Sequence, residues 1–259
     1  MKGLPLKIID KIEEIIGAQF DEITLDFLGI IPKLSRNKRI VFTTTRSNLT
    51  SLFLQALGHR KPNQDEEDTL KGCLRVAANY IDALKERTQA RAVQTANAYA
   101  QETFANNKQI APSKIRKIVV EEMGKAQNHL KLIVNSETNK AVNTGTALQI
   151  QKVADDVGDK DPVVFFLVTK DDKTGDEEWI LHLLPDRKTP RLWYLSEIGA
   201  GYHKVGDPNP KLPGLHPNCR CKITYLPKSF GFGPEGKIKW VELDHDEIKE
   251  QRKAHPLPR

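Results

Sequence analysis

Ile8, Ile9, Ile12, Ile15 and Ile16 recur at i, i+1, i+4, i+7 and i+8, which puts them on one face of a helix over 6–16. Gly17 is a natural stop. Phe20, Ile23, Phe27 and Ile30 then predict a second helix over 18–31, ended by Pro32. A basic loop at Arg36–Arg39 leads to a third helix over Thr45–Leu57, closed by Gly58. His59–Asp68 is polar and contains Pro62. It reads as a linker running into an acidic first turn, the helix end where negative charge is favoured. From there to about Asn107 there is no proline, and Leu70, Leu74, Ala77, Ile81 and Leu84 hold an apolar face, so one long helix is expected. Beyond Arg87 that face thins to Ala90, Ala92, Ala96, Ala98 and Ala100. Such residues allow close packing, or they mark a helix that a neighbouring subunit covers.

Pro112-Ser113 opens another helix, with Ile115, Ile118, Val119 and Met123 on its face, running through Leu130 and Ile133. A separate helical stretch, Ser136–Val157, stops at Gly158. The pattern then changes. Val163–Thr169 is apolar and β-branched, as a buried strand requires. A turn over Asp171–Asp176 and a strand over Glu178–Leu184 would complete a hairpin. Gly199–Gly236 is dense in glycine and proline, with short strands expected at Lys222–Leu226 and Lys237–Leu243 and a charged helix or tail from Asp244. The expected architecture is α+β: N-terminal amphipathic helices over 1–58, a long-helix region over 59–158, a β-containing module over 159–243, and a charged tail over 244–259.

Composition narrows the function classes. Of 259 residues, 39% are hydrophobic and 29% charged, which suits a globular chain and argues against full disorder. No apolar run reaches the roughly 18 residues of a transmembrane helix, and the N-terminus lacks the apolar core of a signal peptide. An intracellular location without membrane contact is expected. Three cysteines, two of them one residue apart, do not make a disulfide framework. The net charge of +6 comes from 40 basic and 34 acidic residues interleaved along the chain. That permits an acidic partner such as DNA but forms no clustered basic footprint.

Candidate chemistry concentrates in Leu215–Leu226, LHPNCRCKITYL. The thiolates of Cys219 and Cys221 with the imidazole of His216 could hold zinc. A fourth ligand would come from His203, then Asp207 or His182. Alternatively the cysteines alternate on a strand edge, one of them buried, with His216 bonded in a turn. Arg187, Arg191 and Arg220 suit either ion pairs inside the module or contact with DNA phosphate. Glu137 with His182 or His203 could form an acid–base pair. Trp179, Trp193, Tyr194 and Trp240 read as the small core of the β part. No phosphate-binding glycine loop, HExxH or Gly-x-Ser-x-Gly motif is present, and no catalysis is expected.

The string His216-Pro217-Asn218-Cys219-Arg220-Cys221 resembles the C-terminal signature of the phage Mu F-like family of head morphogenesis (minor head) proteins. The family's upstream D-x-R-T-x-R element corresponds to Asp186-Arg187-Lys188-Thr189-Pro190-Arg191, followed by Gly199 or Gly201. Ser136-Glu137-Thr138-Asn139-Lys140-Ala141 resembles the helical stretch before the family's β part. The resemblance covers roughly residues 130–226. Where many members carry an upstream Cys or His pair, this chain has Leu192-Trp193-Tyr194-Leu195, which leaves a metal site half lost. The resemblance implies a structural minor capsid protein of a tailed double-stranded DNA phage, assembled in the host cytoplasm and carried in the virion. Its implied partners are the portal protein, the major capsid or scaffold protein, and phage DNA. It carries over no catalytic residue. A zinc-stapled DNA-binding module and a phage-derived, toxin-related enzyme domain are the two alternatives.

Overall fold

A computed structural model of the chain describes residues 3–28, 49–172, 174–204, 206–214, 219–233, 235–240 and 245–257. The fold is α+β. Its helices are α1 (Leu6–Leu28), α2 (Leu49–Ala56), α3 (Gln64–Ala105), α4 (Pro112–Asp156), α5 (Asp176–His182) and α6 (His245–Ala254). Its strands are β1 (Val163–Leu167), β2 (Trp193–Tyr194), β3 (Gly199–Tyr202), β4 (Lys211–Gly214), β5 (Lys222–Leu226), β6 (Phe230–Phe232) and β7 (Ile238–Trp240). Two compact units emerge: 1–51 with 71–135, and 52–70 with 136–259. The stretch from Ser136 onward groups with the strands.

In the first unit, α1 runs straight through Gly17. A helical glycine costs only about 1 kcal/mol against alanine. Here a Cβ would meet the Gln89 amide at 3.3 Å, and that amide donates to the Glu13 carbonyl at 2.8 Å. The pair of helices expected over 6–31 is therefore one helix as far as Leu28. The basic loop and the first residues of the third expected helix lie outside the described residues. Of the isoleucine stripe, Ile12 and Ile16 are buried, Ile8 and Ile9 are partly buried and Ile15 is exposed; Phe20 is buried beside them in the sequence. The thin face of α3 is packed within the chain: Ala92, Ala96 and Ala100 are fully buried, while Ala90 and Ala98 are exposed. An apolar groove of about 830 Å³ runs along Ile8, Ile12, Ile15, Ile115, Val119 and Met123.

In the second unit, α3 begins with a reciprocal cap. The Glu66 N–H donates to Asn63 Oδ1 at 2.9 Å, and the Asn63 N–H donates to Glu66 Oε2 at 2.8 Å. Arg60 closes on the same carboxylate, with its Nη1 at 2.7 Å from Oε2, and this pairing holds Glu66 below the usual carboxylate range. The helical stretches expected over 112–133 and 136–157 are a single helix, α4, because nothing at Val134–Ser136 breaks the backbone ladder. Gly158, at φ 72°, ends that run as expected.

β1 lies between β2 and β5 and is antiparallel to both, with Val164 opposite Trp193 and Tyr225. Its alternation buries both faces. Val164 and Phe166 pack with Ile150 of α4, Leu181, Trp193, Cys219, Cys221 and Ile223. Val163 and Phe165 pack with Leu192, Tyr194, Leu226 and Ile248 of α6. The hairpin partner expected at Glu178–Leu184 is instead helix α5. Asp176, Glu177 and Glu178 form an acidic first turn, and Glu178 Oε2 accepts the Gly175 N–H at 2.9 Å. That start signal outweighs the strand pattern. The expected strand over Lys222–Leu226 is β5, and part of Lys237–Leu243 is β7. Trp193 and Tyr194 are core residues, whereas Trp240 is 75% exposed. Among the described residues no helix is long and apolar enough to cross a membrane.

Candidate functional site

The three segments that carry the family resemblance meet in the second unit. Asn139 and Asn143 are one turn apart on α4, so their side chains share a face. Asn143 Nδ2 donates to the Cys221 carbonyl at 2.9 Å, and Asn143 Oδ1 accepts the Ile223 N–H at 3.2 Å. Asn139 Nδ2 donates to the Cys219 carbonyl and, at 3.4 Å, to that of Cys221. Two helical asparagines thus clamp the backbone that enters β5.

The upstream element folds back on the end of α5. Asp186 forms a tight turn, with Oδ1 accepting the Lys188 and Thr189 N–H groups at 2.9 Å each and Oδ2 accepting the Thr189 hydroxyl at 2.6 Å. Burial alone would raise the Asp186 pKa, but these bonds together outweigh it and hold the carboxyl below its usual range. The Leu184 N–H donates to the Thr189 carbonyl and the Arg191 N–H to the His182 carbonyl, at 2.8 and 2.9 Å. Leu183 bridges Pro190 between them. The backbone of the D-x-R-T-x-R element is therefore tied to the backbone of His182.

Around this frame three metal-ligating side chains converge. His182, Cys219 and Cys221 are all buried, and their donor atoms lie within 4.8 Å of one another. Cys219 and Cys221 point inward while Arg220, between them, is exposed, so both cysteines face the core. All three cysteines of the chain are thiols, with no disulfide. The Cys221 thiol stands 3.8 Å from Glu178 Oε1. Its hydrogen-bonded neighbour Cys219, burial and the Glu178 carboxylate all push its pKa up. His182 stacks on Phe166 with ring centroids 4.4 Å apart, and neither ring nitrogen has a hydrogen-bond partner among the described residues.

The remaining sequence candidates fall elsewhere. His203 is not in this group; its Nε2 lies 3.1 Å from the Asp207 carbonyl. Asp207 pairs with Lys211 at 2.7 Å. His216 lies outside the described residues. Among the described residues the donors that group together are therefore His182 and the two cysteines, without His203. The sequence ranks His182 last because α5 is needed to bring it there. The asparagine clamp left one trace in the sequence, two asparagines four residues apart in a helical stretch.

A scan against family models and searches of curated proteins and solved structures all found no match. The Mu F-like resemblance thus rests on its three segments alone.

The arginines are engaged within the chain. Arg220 Nη2 donates to Asp171 at 2.7 Å. Arg187 lies 3.8 Å from Asp176 and over the Trp179 ring. Arg191 is buried and bonds to carbonyls instead of carboxylates. Its Nε donates to Ile180 at 2.9 Å and its Nη1 to His255 of the C-terminal segment.

Glu137 makes no pair with His182, whose ring nitrogens both lack a partner among the described residues. Burial raises the Glu137 carboxyl above its ordinary value of 4.5, with Lys140 Nζ, 3.7 Å away, opposing the shift. The folded chain therefore binds this proton more tightly than the unfolded chain. The associated stability is present below the ordinary value and is lost as pH rises through the folded one. Glu137→Gln should abolish that loss. Melting curves across this range should show the variant gaining on the wild type as pH rises towards neutrality, whereas parallel profiles would refute the assignment.

Proposed function

We propose that this chain is a structural head-assembly protein of a tailed double-stranded DNA phage, a minor capsid component that associates with the portal vertex. Its partners in this reading are the portal protein and the major capsid or scaffold protein, and it works in the virion after assembly in the host cytoplasm. The observation that carries the proposal is the convergence of the three segments on one frame. Asn139 of the first segment and Asn143, one turn on, clamp the backbone of Cys219 and Cys221, and Asp186–Arg191 is tied to the backbone of His182, whose ring meets both cysteines. Residues spent on holding a module together explain a family signature without chemistry. The apolar groove of the N-terminal unit supports the same view. The charged side chains in its lining are Lys7, Lys11 and Arg116, which supply no general base.

The buried cluster of His182, Cys219 and Cys221 suits the zinc part of the DNA-binding alternative, but neither DNA contact nor catalysis gains a specific observation. Of the three arginines weighed for DNA phosphate, Arg191 is buried, while Arg220 and Arg187 are exposed and stand beside Asp171 and Asp176. The acid–base pair that an enzyme would need is not formed by Glu137 and His182.

Co-expression with the portal protein of the same genome tests the proposal. The chain should co-purify with portal rings and be found by mass spectrometry in purified particles. Absence from both would reject the assembly role, and a turnover activity lost in Glu137→Ala or His182→Ala would reject the non-enzymatic part.

A further inference from the structure

We propose that His182, Cys219 and Cys221 form a zinc site that staples α5 to the chain entering β5. The inference stands on the geometry of these side chains and is independent of the head-assembly role.

Two thiols and an imidazole are the donor types that select zinc over the hard cations. With bonds of about 2.0 Å to nitrogen and 2.3 Å to sulfur, a tetrahedral ion sets its donors about 3.5–3.8 Å apart. The three donors lie within 4.8 Å of one another, so side-chain movements of about an ångström would close the shell. Charge balance agrees with burial. One divalent cation with two thiolates and a neutral imidazole is a neutral group, which an apolar core tolerates where a lone ion would not be tolerated. The thiol protons leave to solvent as the sulfur–metal bonds form.

The second, independent observation is the imidazole itself. His182 is fully buried, and among the described residues both ring nitrogens lack a partner. Buried polar atoms are almost always satisfied in folded proteins, and a metal bond would satisfy one of these two. The neighbouring groups hold the three residues in place. Phe166 stacks on the ring, the Arg191 N–H holds the His182 carbonyl, and Asn139 and Asn143 hold the carbonyls of both cysteines. A water in the fourth position keeps the group neutral; Glu178 Oε1, 3.8 Å from the Cys221 sulfur, lies beside the site.

The bland alternative is a dry core in which cysteines and histidine act as packing residues. Replacing His182 by phenylalanine separates the two by sign. In a dry core His182→Phe keeps the stack on Phe166 and removes two unpartnered nitrogens, so the melting temperature stays or rises. At a zinc site the same change lowers it and releases the ion.

The experiment uses the full chain. Elemental analysis should find about one zinc per chain, lost in Cys219→Ser, Cys221→Ser and His182→Phe and retained in His203→Ala. The chelated wild-type chain, refilled with cobalt(II), should show thiolate-to-cobalt charge transfer, and Cys73→Ser should leave that band intact. This readout needs no ligand variant to fold. A wild-type chain that holds no zinc and gives no cobalt–thiolate band overturns the proposal. So does zinc retained in Cys221→Ser or His182→Phe.

Discussion

Asn143→Ala should destabilise the C-terminal unit by about 3 kcal/mol, since it leaves a buried N–H and a buried carbonyl short of their partners and opens a small cavity. Asn143 is 1% exposed and serves two backbone groups of the incoming β5 segment, the Cys221 carbonyl and the Ile223 N–H. Water cannot reach them without opening the core. A loss of that size corresponds to a melting temperature lower by about 10 °C for a unit of this size. All three tryptophans, Trp179, Trp193 and Trp240, lie in this unit, so intrinsic fluorescence reads its unfolding directly. Asn143→Asp is the informative companion. It keeps the acceptor for Ile223 but loses the donor to Cys221, so it should also destabilise. If both variants melt with the wild type, the clamp contributes nothing and the convergence of signature segments loses its energetic meaning.

The second large effect is expected at Arg191. Among the described residues no carboxylate pairs with its buried guanidinium, and burial pulls its pKa below the usual arginine value. What compensates the charge is a pair of carbonyls, Ile180 at the end of α5 and His255 beyond α6. The same C-terminal segment is held by Gln251, which accepts the Leu192 N–H at 3.3 Å, and by Arg252, which pairs with Glu197 at 2.6 Å. Arg191→Met should cost about 3 kcal/mol, the scale of two charge-assisted bonds less what the shorter, apolar side chain recovers. The loss should concentrate in 245–254, where amide hydrogen exchange should accelerate well beyond that of β1. Arg191→Lys should not rescue it, because a single ammonium cannot span both carbonyls as the planar fork does. Unchanged exchange in α6 would show that Ile248 and the Arg252 pair suffice to dock the helix.

The two arginine outcomes differ for a reason that sequence spacing could not contain. Arg220 has an aspartate partner, as an internal ion pair requires, and remains 43% exposed, so its contribution to stability is small. Arg191 belongs to the same signature but is buried, and its partners are main-chain groups that carry no residue identity. A search of the sequence for carboxylates finds the first kind of contact and is blind to the second.

The local pattern alone determined much of this protein. The isoleucine stripe of α1, the proline-free run of α3, the β-branched run of β1 and the stop at Gly158 are set by interactions within a few residues of each position, so periodicity and turn chemistry reveal them. The same locality explains the errors. Gly17 marks a stop only where no neighbouring helix fills its bare face, and Gln89 does so. Residues 178–184 alternate well enough for a strand, but the acids before them start a helix once Gly175 and Glu178 bond to each other. The tertiary structure alone decided the site. Cys219 and Cys221 are adjacent by sequence, yet the imidazole that meets them is His182, some forty residues upstream, and not His203, which is nearer in the chain. α5 turns His182 into the core beneath Phe166, and two asparagines of α4 fix the cysteine backbone against it. Packing a helix end against a strand edge brings those groups together, and no spacing rule along the chain encodes that distance.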